Sequence, residues 1–303
     1  MSRLVLVLGM HRSGTSAVCA ALQSLGVEFG ERAHWSGFDN PDFFEDREIV
    51  AFDDALLHGG GGAWDRLYVA PAKNLPSVEG ATHRATVMLD DRLARSPVFG
   101  LKEPRMCRLL PVWRPVIEAA GCAVSVVYTV RNPLSVADSL LKRNGIGIEK
   151  ALTLWLAHVV PAFCEANPSW PKIVIDYDRL VDDPACESER LAQFLGGVSV
   201  EAPRRDPAEL RHHVHSVSDL TNCSVAPPAV HTICRLLLRM ARDEIPPSDP
   251  EAARLFGATQ REIERQAPAL IAMDKAFERA KSMHGAVAGA RAPFQWRGPH
   301  DRG

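Results

Sequence analysis

The feature that most narrows the fold is the stretch Leu4-Val5-Leu6-Val7-Leu8-Gly9-Met10-His11-Arg12-Ser13-Gly14-Thr15-Ser16, continued by Ala17-Val18-Cys19-Ala20-Ala21-Leu22. An unbroken apolar run bounded by glycine, then apolar positions at helical spacing, predicts a buried parallel strand that turns straight into a helix. Such a turn binds anions, because the first N–H groups of a helix have no intrahelical partners and the peptide dipoles leave partial positive charge there. Gly9 and Gly14 permit close backbone approach, and Thr15 and Ser16 add hydroxyls. The spacing Gly9-x4-Gly14 is that of a nucleotide phosphate loop, but Thr15 stands where the nucleotidases carry lysine. Positive charge therefore comes from the loop itself, through Arg12.

The rest of the chain alternates between the two periodicities. Helices are predicted from the phosphate turn to about Gly26, then over 45–58, 79–95, 106–120, the segment after Arg131-Asn132-Pro133, 147–166 and 184–195. Strands are predicted at 98–101, 123–130 and 172–176. Residues 27–44, 63–77 and 200–230 read as loop, and helices at about 229–243 and 249–282 close the pattern. Strands alternating with helices through short connections imply a parallel sheet with right-handed crossovers. The expected fold is α/β: a P-loop-like three-layer α/β/α arrangement with a central parallel sheet and a helical C-terminal extension. We expect a single domain over 1–284, with its sheet core at about 3–196 and its C-terminal loop and helices at 197–284. A disordered tail is expected over 285–303.

Composition excludes several partners. In 303 residues, 46% are hydrophobic and the formal net charge is −2, so any anion site must be a local cluster and nothing draws the chain to nucleic acid. Seven scattered cysteines without a C-x-x-C pair argue against a disulfide framework and a zinc site, and fit a reducing cytosol. No apolar run approaches the ~18 residues of a membrane span, so a cytoplasmic protein is expected. His11 and the cluster His212, His213 and His215 lack carboxylates or cysteines in ligand spacing, and no metal site is assigned to them.

The pattern H-R-S-G-T-S resembles the 5′-phosphosulfate loop of sulfotransferases, which use 3′-phosphoadenosine 5′-phosphosulfate (PAPS) as donor. A second half of the resemblance is R-N-P-x5-S, here Arg131 to Ser139, which in that family binds the donor's 3′-phosphate. The chain looks closest to bacterial sulfotransferases with G-M-H-R-S-G-T-S, an N-P-x-F-F-E-D-like segment (Asn40 to Asp46) and a K-[DE]-P-R segment (Lys102 to Arg105). The resemblance spans about residues 3–196. Arg12 replaces the lysine of the better-known cytosolic sulfotransferases, as in protein-tyrosine sulfotransferases, and their downstream glycine-rich donor motif is missing.

The resemblance implies transfer of a sulfuryl group from PAPS to a hydroxyl or amine of a small-molecule, carbohydrate or lipid acceptor, with no metal required. His11, Arg12, Ser13, Gly14, Thr15, Ser16, Arg131 and Ser139 are the expected donor-binding residues. Arg12 is expected at the leaving phosphate, Lys102 at the sulfuryl oxygens and Glu45 as base, with Asp46 and His11 as alternatives for that last role. Glu103 and Arg105 are expected to pair. Trp35, Phe43, Phe44, Trp64 and Tyr68 are candidates for the acceptor pocket, and Arg204, Arg205 and Arg211 for a loop over the nucleotide. Competing readings are an ATP-dependent phosphotransferase on the same fold, with Asp176 the nearest match to a metal-holding acid, and a non-catalytic nucleotide-binding regulator.

Overall fold

In the computed structural model, residues 2–30, 44–69, 78–197 and 215–290 are described. The apolar run forms strand β1 (Arg3–Leu8), and its alternate residues part company. Leu4, Leu6 and Leu8 enter one core, while Val5 and Val7 enter a second. A strand buried on both faces must be apolar throughout, which is why this stretch shows no polar alternation. Strands β3 (Val98–Lys102) and β4 (Ala123–Val130) flank β1 in parallel. Two edge strands, β2 (Glu28–Phe29) beside β3 and β5 (Lys172–Asp176) beside β4, complete an all-parallel sheet ordered β2-β3-β1-β4-β5.

Helices cover both faces, giving three layers. Helix α1 (Thr15–Ser24) and two later helices, α7 (Tyr177–Asp182) and α8 (Pro184–Phe194), pack on the Val5/Val7 face. On the other face lie α2 (Arg47–Gly59), α3 (Val78–Arg95), α4 (Met106–Ala119) and α6 (Ile148–Glu165), joined by α10 (Pro228–Ala241). Helix α5 (Pro133–Asn144) leads from β4 into α6, and α9 (Val217–Asn222), α11 (Pro250–Arg265) and α12 (Ala267–Ala290) are the remaining described helices.

Four elements depart from the sequence reading. The first residues of the predicted 27–44 loop form β2, whose Phe29 lies so close to Gly100 that a Cβ there would meet the ring at 2.5 Å. Helix α7 fills the interval between β5 and α8, and α9 interrupts the predicted 200–230 loop. The single helix predicted over 249–282 is two, separated at Gln266. Pro268, which lacks an N–H and clashes with a preceding turn, is accommodated in the first turn of α12. That helix continues past Gly285, where a tail was expected, to Ala290. Among the described residues, no single helix is long and apolar enough to cross a membrane.

The strand order fixes where a ligand crevice can open. The chain leaves β1 toward β2, on one side, and leaves β4 toward β5, on the other. Between the carboxyl ends of β1 and β4 the connections diverge, which is the switch point at which open parallel sheets bind ligands.

Candidate active site

At the end of β1 the chain makes a tight turn. Ser13 donates both its N–H and its Oγ to the Met10 carbonyl, at 3.1 and 2.7 Å. Arg12 is left-handed at φ 69°, unusual for a residue with a Cβ, and Gly14 follows at φ 92°. The positive φ at Gly14 is matched by lack of space, since a Cβ there would fall 2.0 Å from Cδ2 of Tyr177. A Cβ on Gly9 would meet Ser13 Oγ and Thr15 Cγ2 at 2.9 Å and the Thr129 carbonyl at 3.0 Å. Helix α1 starts at Thr15 with no side-chain cap and no acid in its first turn. The positive end of its dipole thus faces the crevice without a built-in anion.

The end of β4 meets this turn directly. Arg131 is 3% exposed. Its Nη1 donates to the Arg12 carbonyl at 3.3 Å, and its guanidinium lies 4.7 Å from the centre of the Tyr177 ring. Its Nε is buried with no hydrogen-bond partner. From α5, Ser139 accepts a 2.8 Å hydrogen bond from Arg12 Nε. Arg12 and the pair Arg131 and Ser139, more than a hundred residues further along the sequence, thus form one cluster across the β1–β4 crevice. Asn132 organises its rim. Its Oδ1 caps α5 through Leu134 N–H, and its Nδ2 donates to the carbonyls of His215 and Ser216, both at 2.9 Å. His215 also donates its N–H to Ser135 Oγ at 3.1 Å, and its Nε2 lies 2.7 Å from Asp138 Oδ2.

The end of β3 supplies a buried ionic cluster. Lys102 Nζ lies 2.5 Å from Glu45 Oε1, and both residues are buried. Arg105 is bracketed by Glu103 Oε1 at 2.6 Å and Asp54 Oδ1 at 2.7 Å, the expected Glu103 pairing with an additional partner from α2. Asp46, considered as a base, is otherwise engaged. It caps α2 by accepting from Glu48 and Ile49 N–H and takes a two-pronged Arg92 contact, with both bonds 3.1 Å long.

His11, on the loop, rests its ring 4.5 Å from Trp64 and 5.8 Å from His158, and its Nε2 is buried without a partner. Burial, then the charges of Arg105, His158, Lys102 and Arg143, holds its pKa well below the usual histidine value. It is a neutral imidazole. Trp64 itself is fixed from behind: Arg108 donates to the carbonyls of Trp64, Arg66 and Leu67, and Asp274 of α12 accepts Leu67 N–H at 2.7 Å.

Tyr177, Asn132, Ser135 and Asp138 were missed in the sequence, although the asparagine's place before proline at a helix start was a readable cap signal. Tyr177 had no such signal. Asp176, the nearest match to a metal-holding acid, spends Oδ1 capping α7 through Asp178 N–H at 3.0 Å. Among the described residues, no group of three or more His, Cys, Asp and Glu is placed to hold a metal ion. Trp35, Phe43, Arg204, Arg205, Arg211, His212 and His213 lie outside the described residues.

Fold and site together define a parallel α/β protein with a tight strand–turn–helix, met by Arg131 and Ser139, at its switch point. No protein-family model matches the chain, and neither does any curated protein. Among solved structures it is similar to a sulfotransferase domain from the curacin biosynthetic pathway, with 16% identity, 86% of this chain and 98% of that chain covered, and a TM-score of 0.43. It is also similar to a sulfotransferase domain from the Synechococcus PCC 7002 olefin synthase, with 14% identity, coverage of 86% and 94%, and a TM-score of 0.41.

Proposed function

We propose that this chain is a sulfotransferase that moves the sulfuryl group of PAPS to a hydroxyl or amine of a small-molecule, carbohydrate or lipid acceptor, releasing 3′,5′-adenosine bisphosphate. The observation that carries the reading is the cluster of Arg12, Ser139 and Arg131 across the β1–β4 crevice. A donor with phosphates at both 5′ and 3′ positions needs two anion-binding sets within one nucleotide's reach. The Gly9–Ser16 turn would take the 5′-phosphosulfate, with Ser13, Gly14, Thr15 and Ser16 around it, and Arg131 with Ser139 the 3′-phosphate. The unpartnered, buried Nε of Arg131 fits an anionic ligand, since a buried guanidinium N–H left without an acceptor is costly.

The transfer is an in-line displacement at sulfur. The acceptor oxygen forms a bond to sulfur while the bond from sulfur to the 5′-phosphate oxygen breaks, and the departing electron pair stays on that phosphate. Arg12 and the N–H groups of the loop counter the charge developing there, which is where a preorganised donor has most effect. Lys102 is the ammonium assigned to steady the sulfuryl oxygens. Glu45 accepts the acceptor's proton, and its contact with Lys102 keeps base and cation side by side. His11 is the second candidate for that proton, on the ground of its neutral ring and partnerless Nε2.

Melting with nucleotides tests the donor site. 3′,5′-Adenosine bisphosphate is expected to raise the melting temperature and ATP with Mg²⁺ to leave it unmoved; the reverse result would favour the phosphotransferase. Glu45→Gln should keep bisphosphate binding and lower turnover ~100-fold or more with PAPS and a panel of carbohydrate, lipid and phenolic acceptors. Undiminished turnover would move the base role to His11. Donor binding with no sulfated product across the panel would favour the regulator.

A further inference from the structure

Behind the Lys102–Glu45 contact lie two carboxyl groups that the transfer chemistry does not use. Asp53 of α2 and Glu103 after β3 are both wholly buried. Asp53 Oδ1 accepts from Trp113 Nε1 at 2.8 Å, and Glu103 Oε1 accepts from Arg105 Nη1 at 2.6 Å. The remaining oxygens, Asp53 Oδ2 and Glu103 Oε2, are buried and neither meets a donor. The two side chains interact with each other directly. Among the described residues, Arg105 is the cation bonded to the pair, through Glu103, and Asp54 on the same helix as Asp53 claims its Nε. Glu45 adds a third nearby negative charge. Two ionised carboxylates in this enclosure would repel each other and compete for Arg105 and Lys102.

We infer that Asp53 and Glu103 hold one proton between them and act as a positioning pair, keeping Arg105 on Glu103 and Asp54 so that Lys102 faces Glu45. The proton sits on Asp53, whose O–H donates to the Glu103 carboxylate, and Glu103 stays the anion that Arg105 needs. Burial, followed by the charge of the other carboxylate, raises the Asp53 pKa well above the ordinary carboxylate value, and burial likewise raises that of Glu103 against the opposing pull of Arg105. The pair joins α2, which follows Glu45 in the chain, to the segment after β3, which follows Lys102. Its proton therefore governs the register of the two proposed catalytic groups. The link to catalysis rests on the sulfotransferase reading; the shared proton does not.

The test compares Asp53→Asn with Asp53→Leu in the full chain. An asparagine amide can donate to Glu103 as the protonated acid does; leucine leaves Glu103 Oε2 and Trp113 Nε1 unmet. Infrared difference spectra of wild type against Asp53→Asn, taken above the Asp176 titration at about 6, should show one protonated carboxyl lost in the variant. Native stability of the wild type should fall as pH rises from the ordinary carboxylate range through the pair's titration, because the folded state holds a proton the unfolded chain has released; Asp53→Asn should flatten that slope. Turnover should stay within ~3-fold of wild type in Asp53→Asn and drop ~30-fold in Asp53→Leu, with the donor KM little moved. Absence of a protonated carboxyl signal, or asparagine as damaging as leucine, would overturn the inference. If no sulfuryl transfer is found in the wild type, the spectra and melting curves still decide the pair, and the proposed function fails alone.

Discussion

Arg131 is the residue on which the donor reading turns. Its guanidinium has a buried, partnerless Nε, one carbonyl contact and an aromatic face beneath it, which under that reading leaves a donor for a ligand oxygen. Arg131→Ala is expected to weaken 3′,5′-adenosine bisphosphate ~100-fold while changing 5′-AMP little, as measured by titration calorimetry. Equal losses for both nucleotides would place the 3′-phosphate elsewhere. Arg12, Arg131 and Ser139 were legible as sequence because each belongs to a short pattern with a physical reason for its spacing. Asp53 was not, since nothing local tells a buried acid from one on the solvent side of an amphipathic helix. Nor was the commitment of Asp46 to a cap and to Arg92, because Arg92 reaches it from another helix.

Among the elements, the short helix α7 has an influence out of proportion to its length. Its first residue, Tyr177, lies under Arg131 and against Gly14, so the Gly9–Ser16 turn is held between α1 and a helix that enters the chain far downstream. Gly14→Ala must displace that ring and adopt a left-handed backbone, at a cost of about 2 kcal/mol or more. The expected outcome is a lowered denaturation midpoint together with lost bisphosphate binding; an unchanged midpoint would show that the ring yields freely. The long elements were readable because their apolar period repeats several times. Helix α7, strand β2 and helix α9 were not, each being too short for a period to declare itself. The division of the last helices at Gln266 was readable from Pro268, but the continuous amphipathic pattern on either side masked it.

In the molecule taken together, two buried histidines contribute to its response to acid. His158 is wholly buried and its Nδ1 donates to the Leu154 carbonyl at 2.8 Å. Burial, then the charge of Arg108, pushes its pKa down to about 3, and His11 beside it is lowered for similar reasons. Both are neutral in the folded chain, while in the unfolded chain they take up protons near 6.5. Their contribution to stability is therefore complete above that value and is lost as pH falls from it toward about 3. His158→Gln should make the loss shallower in denaturant titrations run across that window, whereas an unchanged slope would assign the acid response elsewhere. The layered parallel architecture was legible from alternation alone, because a sheet with helices on both faces leaves few other arrangements for such a sequence.

The far end of the polypeptide also has a stake in the site. Asp274 takes the Leu67 N–H with Oδ2 and lies 3.4 Å from Lys150 through Oδ1, so α12 props the short segment that carries Trp64 against His11. Clipping the chain after Gln266 would remove both contacts at a stroke, stranding a buried ammonium and slackening the segment that sets Trp64 against His11. The closing helix is thus a buttress of the site and unsuited to trimming.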